Sequence, residues 1–208
     1  MTDFITNVAH YNTQSGDKLK NDEVIIYDNF FSKEDFETFE KEIVNNTYFP
    51  WYLNCGKTVH NDHNTKTNSD IIEYLQFTHM LFDRYQKIES TSYYKLFEEK
   101  IPYILQKLNL QYINILRAKL NLQTQTTNNQ SHLHNTPHRD SNYKHYVFIL
   151  YLNDTDGDTI IFDNNFKIKK RINPIKNRVI IFDGITYHTG CNPYKNDKRI
   201  VLNINFDL

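Results

Sequence analysis

The chain has 208 residues, a net charge of −1 from 24 Lys and Arg against 25 Asp and Glu, and two cysteines, Cys55 and Cys191. Balanced charge excludes a global attraction to nucleic acid or membrane surfaces and leaves only local patches, so neither is indicated as a partner. Two cysteines exclude a disulfide framework and suit a reducing compartment; with no apolar signal core and no apolar run of membrane-spanning length, a soluble, cytoplasmic protein is expected.

Residues 1–22 are polar and aperiodic, a lead-in without core-forming pattern. "EVIIYDNFF" reads as a short strand and turn, and Ser32 with Asp35 forms a capping pattern before a helix carrying Phe36, Phe39 and Ile43. That helix should end at the Asn45–Asn46 pair. "TYFPWYL" reads as an aromatic packing cluster or a substrate-facing wall, and a polar loop follows it. Residues 71–86 fit helix and strand equally. Residues 92–108 are helical by period, with Pro102 predicting a kink or a break.

From residue 112 the period changes to two. "YINILRAKLNLQT" puts Ala118, Leu120 and Leu122 on one face and Arg117, Lys119, Asn121 and Gln123 on the other. Further strands are expected at 145–153, 158–162, 166–174, 177–183 and 199–206, separated by turn sequences such as "NDTDGD" and "NPYKND". The pattern predicts one α+β domain: a helical support region with short strands over 23–111, then a jelly-roll core over 112–208.

The chemistry concentrates in "TPHRDS". His138 and Asp140, two positions apart on an extended segment, point to one side with Cα atoms roughly 6–7 Å apart, so both side chains reach one metal ion. The best-placed third ligand is His188 in "GITYHTG", after the strand "NRVIIFD", where Gly184 and Gly190 allow a tight backbone. Two imidazoles and one carboxylate make the facial triad of non-haem Fe(II) oxygenases. Taken alone an H-x-D pair is a weak signal, commonly a chance pair or a surface hydrogen bond. Arg199 strengthens it. On "RIVLNINF" the residues Ile200, Leu202, Ile204 and Phe206 share one face, while Arg199, Val201, Asn203 and Asn205 share the other. If the apolar face meets the helices, the arginine lies inside the barrel and requires a carboxylate, which a bound dicarboxylate can supply.

The order H-R-D, "YLNDTDGDTIIF", "NRVIIFDGITYH", "KRIVLNINF" resembles the Fe(II)/2-oxoglutarate-dependent dioxygenases. Within them it is most similar to the prolyl-hydroxylase-like branch, including short phage and bacterial versions. The resemblance implies a double-stranded β-helix backed by N-terminal helices, with Fe(II), O2 and 2-oxoglutarate as cofactors and ascorbate as a stimulant. It implies His138, Asp140 and His188 as iron ligands and catalytic residues, with Arg199 and Tyr151 on the distal carboxylate of 2-oxoglutarate. Asn121, sharing its polar face with Gln123, is a further candidate for the cosubstrate pocket. The implied partner is a peptidyl proline or another protein side chain, in the cytoplasm, which is the host's for a phage-encoded copy. The chain departs from the family in carrying Val201 where some relatives have Ser or Thr, and in a glycine-poor "DGD" turn. Asp140 separates it from related halogenases, which carry a small residue there.

His132 and His134 offer an alternative metal pair, and read more simply as a loop flanking the site; His145 reads as structural or exposed. Alternatives to a protein hydroxylase are an oxygenase of a free amino acid, nucleotide or small metabolite, a zinc hydrolase, or a cupin-like metal-binding module without catalysis.

Overall fold

Alternation along two long strands, β5 (Asn114–Thr124) and β11 (Lys198–Asp207), organises the fold. In the computed structural model, which describes residues 24–54, 75–86, 88–89, 92–110, 113–127 and 134–208, the two pair antiparallel from Lys198↔Thr124 to Asp207↔Asn114. They are central in an 8-stranded sheet. Its order is β1 (Ile25–Tyr27), β9 (Val179–Asp183), β6 (Tyr146–Tyr151), β11, β5, β3 (Gln76–Asp83) and β2 (Tyr52–Asn54), with β4 (Ile88–Glu89) paired to β3. A 3-stranded sheet comprises β10 (His188–Gly190), β7 (Thr159–Phe162) and β8 (Ile168–Ile172). All pairings within both sheets are antiparallel, the expected double-stranded β-helix.

Because successive side chains alternate, each strand of the large sheet contributes to two cores. Ala118, Leu120, Phe148, Leu150, Leu202 and Ile204 pack outward against the helices. Val147, Ile149, Tyr151, Ile180 and Val201 pack inward against Ile161 and Ile172 of the small sheet. The helical layer consists of α1 (Lys33–Phe39) with a π-helical continuation over Glu40–Val44, α2 (Ser92–Glu98) and α3 (Ile101–Lys107). The Ser32 hydroxyl accepts from the Asp35 N–H at 3.1 Å, as the capping pattern predicts, and Asn45 closes the helix. Phe39 stacks on Phe97 at 4.9 Å between ring centroids, tying α1 to α2.

Pro102 marks a break: it sits in the first turn of α3, where no N–H is needed, so α2 and α3 are separate helices. The ambiguous stretch 71–86 contains β3, made a strand by its pairing with β5. Phe49 and Trp51 pack at 4.8 Å as the aromatic cluster predicts, whereas Tyr52 is exposed. The strand expected at 145–153 is shorter, and His145 stands just before it, buried. β10 is a strand that the sequence pattern does not anticipate. The lead-in 1–22, Cys55, most of the polar loop after it and His132 lie outside the described residues. Among the described residues no helix is long and apolar enough to cross a membrane.

Candidate active site

Two histidines distant in sequence meet through their backbones. His138 and His188 form an antiparallel bridge in which each N–H donates to the other's carbonyl at 2.9 Å. This seats the rings side by side, centroids 4.7 Å apart. In each ring Nδ1 faces a carbonyl oxygen two residues earlier, Thr136 at 3.2 Å and Thr186 at 3.0 Å. A carbonyl only accepts, so Nδ1 carries the hydrogen and Nε2 keeps a free lone pair. Burial, and then His188, push His138 down to about 4; burial also lowers His188. Both rings are neutral at pH 7.

Asp140 completes the group: one ligand atom from each of His138, Asp140 and His188 lies within 4.8 Å of the others. Its Oδ1 is 3.0 Å from Arg117 Nη2, and its Oδ2 accepts from Asn205 Nδ2 at 2.9 Å and Asn203 Nδ2 at 3.3 Å. Burial alone would raise its pKa, but Arg117, the two imidazoles and Lys119 outweigh burial and hold it well below the usual carboxylate range. Two neutral nitrogens and an ionised carboxylate, each oriented by a further hydrogen bond, fit a divalent first-row cation such as Fe(II). β11 and β5 supply the partners of Asp140, a role that appears in sequence only as polar residues alternating on strand interiors.

Arg199 lies at the other end of the same cavity, 3 % exposed. Its Nη1 donates to Gln123 Oε1 at 2.7 Å and its Nη2 to Thr159 Oγ1 at 2.8 Å, while Nε is buried without a hydrogen-bond partner. Gln123 is itself oriented by donating to Gly190 O at 3.0 Å. Among the described residues no carboxylate pairs with Arg199; Asp158 senses its charge but stands 3.6 Å from Arg171. The buried Tyr151 donates its hydroxyl to the same Thr159 Oγ1 at 2.7 Å, and its ring lies 5.6 Å from the guanidinium. Thr159 thus accepts from two donors, which leaves its own hydrogen for a third group. Gln123 and Thr159 are neighbours of Arg199 that only strand register identifies.

Asn121 lines the cavity one inward-facing position from Gln123, its Oδ1 buried without a partner. His134 packs against Phe162 at 5.1 Å, apart from the three ligand atoms. Cys191 is a buried thiol that burial pushes up to about 11, which makes it inert.

The two glycines near His188 have a reason other than backbone freedom. Neither has a positive φ. A Cβ on Gly190 would lie 2.9 Å from Arg199 Nη1, and a Cβ on Gly184 would overlap the His145 ring. That ring is buried and tethered through Nδ1 to Tyr143 O at 2.8 Å, so it has no room to yield. Gly184→Ala is therefore expected to destabilise the protein by about 1–3 kcal/mol, read as a lowered urea midpoint. An unchanged midpoint would show that the ring can move aside.

Residues 121–207 match the family model described as the 2OG-Fe(II) oxygenase superfamily. No curated protein matches the sequence. Among solved structures, a 2OG-Fe(II) oxygenase family oxidoreductase from Burkholderia pseudomallei is similar at 10 % identity, covering 88 % of this chain and 84 % of that one, with a TM-score of 0.63. A Trichoplax adhaerens prolyl hydroxylase, in complex with a hypoxia inducible factor oxygen degradation domain peptide fragment, is similar at 14 % identity (88 % and 82 %, TM-score 0.58). The viral collagen prolyl hydroxylase of Paramecium bursaria Chlorella virus-1, in a 2OG complex, is similar at 13 % (88 % and 94 %, TM-score 0.52). At these identities the structural likeness establishes the double-stranded β-helix fold.

Proposed function

We propose that this chain, a 2-oxoglutarate-dependent non-haem iron dioxygenase of the superfamily matched by residues 121–207, is a hydroxylase that holds its iron on His138, Asp140 and His188. One observation carries the assignment: three ligand atoms converge at a cavity whose far end is a buried arginine with no carboxylate partner among the described residues.

Arg199 would hold the distal carboxylate of 2-oxoglutarate through its guanidinium, and Tyr151 through its hydroxyl, which would turn its one hydrogen from Thr159 Oγ1 to the carboxylate on binding. Burial raises the Tyr151 pKa, so the hydroxyl keeps its proton and remains a donor. Thr159 is placed to donate its remaining hydrogen beside them, and Gln123 fixes the guanidinium plane. Asn121, which lines the cavity between the levels of Arg199 and Asn203, would stand beside the cosubstrate. Asn203 and Asn205 fix the Asp140 carboxylate in place, where it would supply the negative charge to the metal. When bound, iron and 2-oxoglutarate together reduce O2 and oxidise a substrate C–H to C–OH, releasing succinate and CO2. The protein supplies ligation, orientation and a wall that excludes competing reactions.

The substrate reading is a peptidyl proline or another protein side chain. Support comes from the fold shared with prolyl hydroxylases and from the sheet edge at the cavity, where β2 and β3 present Asn54 and Gln76. Free amino acids, nucleotides and small metabolites are the competing class.

The test needs no substrate. Anaerobic protein with Fe(II) and 2-oxoglutarate should develop the visible charge-transfer band of a bidentate 2-oxo acid on ferrous iron, and His138→Ala should abolish it. Folded protein that binds Fe(II) without a band would favour a binding module. Preference for zinc with indifference to 2-oxoglutarate would favour hydrolysis, in which Arg199 has no use.

A further inference from the structure

We infer that the substrate of this dioxygenase is an anion whose carboxylate or phosphate docks on Lys119. The inference rests on the iron and 2-oxoglutarate reading above and narrows its substrate class.

Lys119 lies on the interior face of β5 and lines the cavity. Its register partner on β11 is Asn203, a neighbour of Asp140, whereas Gln123, four residues along, is registered against Arg199. Four residues of strand separate the two levels by about 13 Å. A five-carbon dicarboxylate running from the metal to Arg199 therefore leads away from Lys119. The lysine stands on the side of the metal where a second organic molecule must enter.

Lys119 forms no hydrogen bond or ion pair with a described residue. Two acids sense its charge, and both are committed elsewhere. Asp140 is held by Arg117, Asn203 and Asn205. Asp83 Oδ1 accepts from the Tyr85 and Gln86 N–H groups at 2.9 and 3.0 Å. Burial, and then Arg117, push the Lys119 ammonium down to about 8, so it is still charged at neutral pH. With the site loaded, iron is neutralised by Asp140 and one carboxylate of the cosubstrate, and Arg199 by the other. Asp83 offsets one of the two cations Arg117 and Lys119. Among the described residues one positive charge is left on the substrate wall, where an unpaired cation is costly and an anionic ligand relieves the cost. A neutral peptidyl proline alone leaves that charge unmatched; a peptide substrate must bring an acidic side chain or a C-terminal carboxylate beside the oxidised carbon.

Full-length protein loaded with Mn(II) and saturating 2-oxoglutarate would be titrated separately with 13C-labelled acetate and with inorganic phosphate, reading paramagnetic line broadening. At least one probe should saturate, with Kd raised about tenfold or more in Lys119→Met, restored in Lys119→Arg, and unchanged in Lys170→Met on exposed β8. Saturation by acetate alone assigns a carboxylate substrate, and by phosphate alone a phosphate. The Fe(II) and 2-oxoglutarate band, recorded for each variant, reports that the site is intact. A band in wild type with no saturable probe, or with equal Kd in wild type and Lys119→Met, overturns the inference and leaves the hydroxylase reading standing. No band in wild type overturns both.

Discussion

Arg199→Ala is expected to raise the KM for 2-oxoglutarate about a hundredfold while leaving Fe(II) affinity unchanged. The guanidinium is buried, held in plane by Gln123 and Thr159, and without a carboxylate among the described residues. In the proposed role it is a preformed half of an ion pair, whose removal would take charge and fork geometry from the cosubstrate end alone. The metal-binding atoms are supported by other groups, the Thr136 and Thr186 carbonyls and the Asn203, Asn205 and Arg117 side chains. Arg199→Lys should recover part of the loss, because an ammonium restores charge but not the planar fork. Separate titrations of Fe(II) and 2-oxoglutarate decide the matter. Equal loss of both would mean that Arg199 supports the whole barrel rather than one ligand.

Asp140→Ala should lower Fe(II) affinity by more than about a hundredfold, since it removes the sole carboxylate of the proposed ligand set. The same substitution should also destabilise the metal-free protein by about 1–3 kcal/mol at pH 7, because Arg117 loses its ion-pair partner and Lys119 a nearby negative charge. The pH dependence follows from sign. The Asp140 pKa in the folded state lies below its unfolded value, so the carboxylate contributes its stability in full above about pH 4. That contribution disappears as pH falls through the lower, folded value. Urea midpoints of the chelator-treated wild type and variant should therefore differ at pH 7 and converge in strong acid. Midpoints that differ equally at both ends would assign the loss to packing rather than charge.

The parts of this molecule that sequence reveals are those whose residues alternate cleanly. β5 and β11 show two faces of opposite character, and once the apolar face packs on the helices the buried position of Arg199 follows. β3 does not: at two-residue spacing Phe77, His79, Leu81 and Asp83 mix apolar with polar, and a bulge between Met80 and Phe82 shifts the register so that Asp83 lies on the opposite face from Phe77 and His79. The partner β5 decides its conformation, and pairing is not visible in a local window. β10 is three residues long, too short for any period, yet it carries His188. His138, Asp140 and His188, which the fold brings together, could be singled out as candidates because metal chemistry restricts ligands to a few residue types. Gln123 was legible only as a pocket-lining position beside Asn121, and Thr159 and the neighbours of Asp140 were not legible, because an ordinary amide or hydroxyl gains its role only from what stands opposite. The glycines illustrate the same limit, since their cause is a ring and a guanidinium brought beside them by the fold.

The backbone bridge between His138 and His188 has a consequence for when the metal enters. The bridge joins β10 to a segment that precedes β6, and the carboxylate between them is steadied by β11 and by Arg117 of β5, itself in contact with Asn205 88 positions away. Few of these contacts exist until the barrel has closed, so the unfolded chain has no high-affinity site to offer. A metal bound at the proposed site would then be captured by an already folded apoprotein rather than acting as a nucleus around which the chain collapses. Iron scarcity would leave a pool of intact, waiting enzyme, and renewed supply would restore activity at the speed of binding, with no new round of folding.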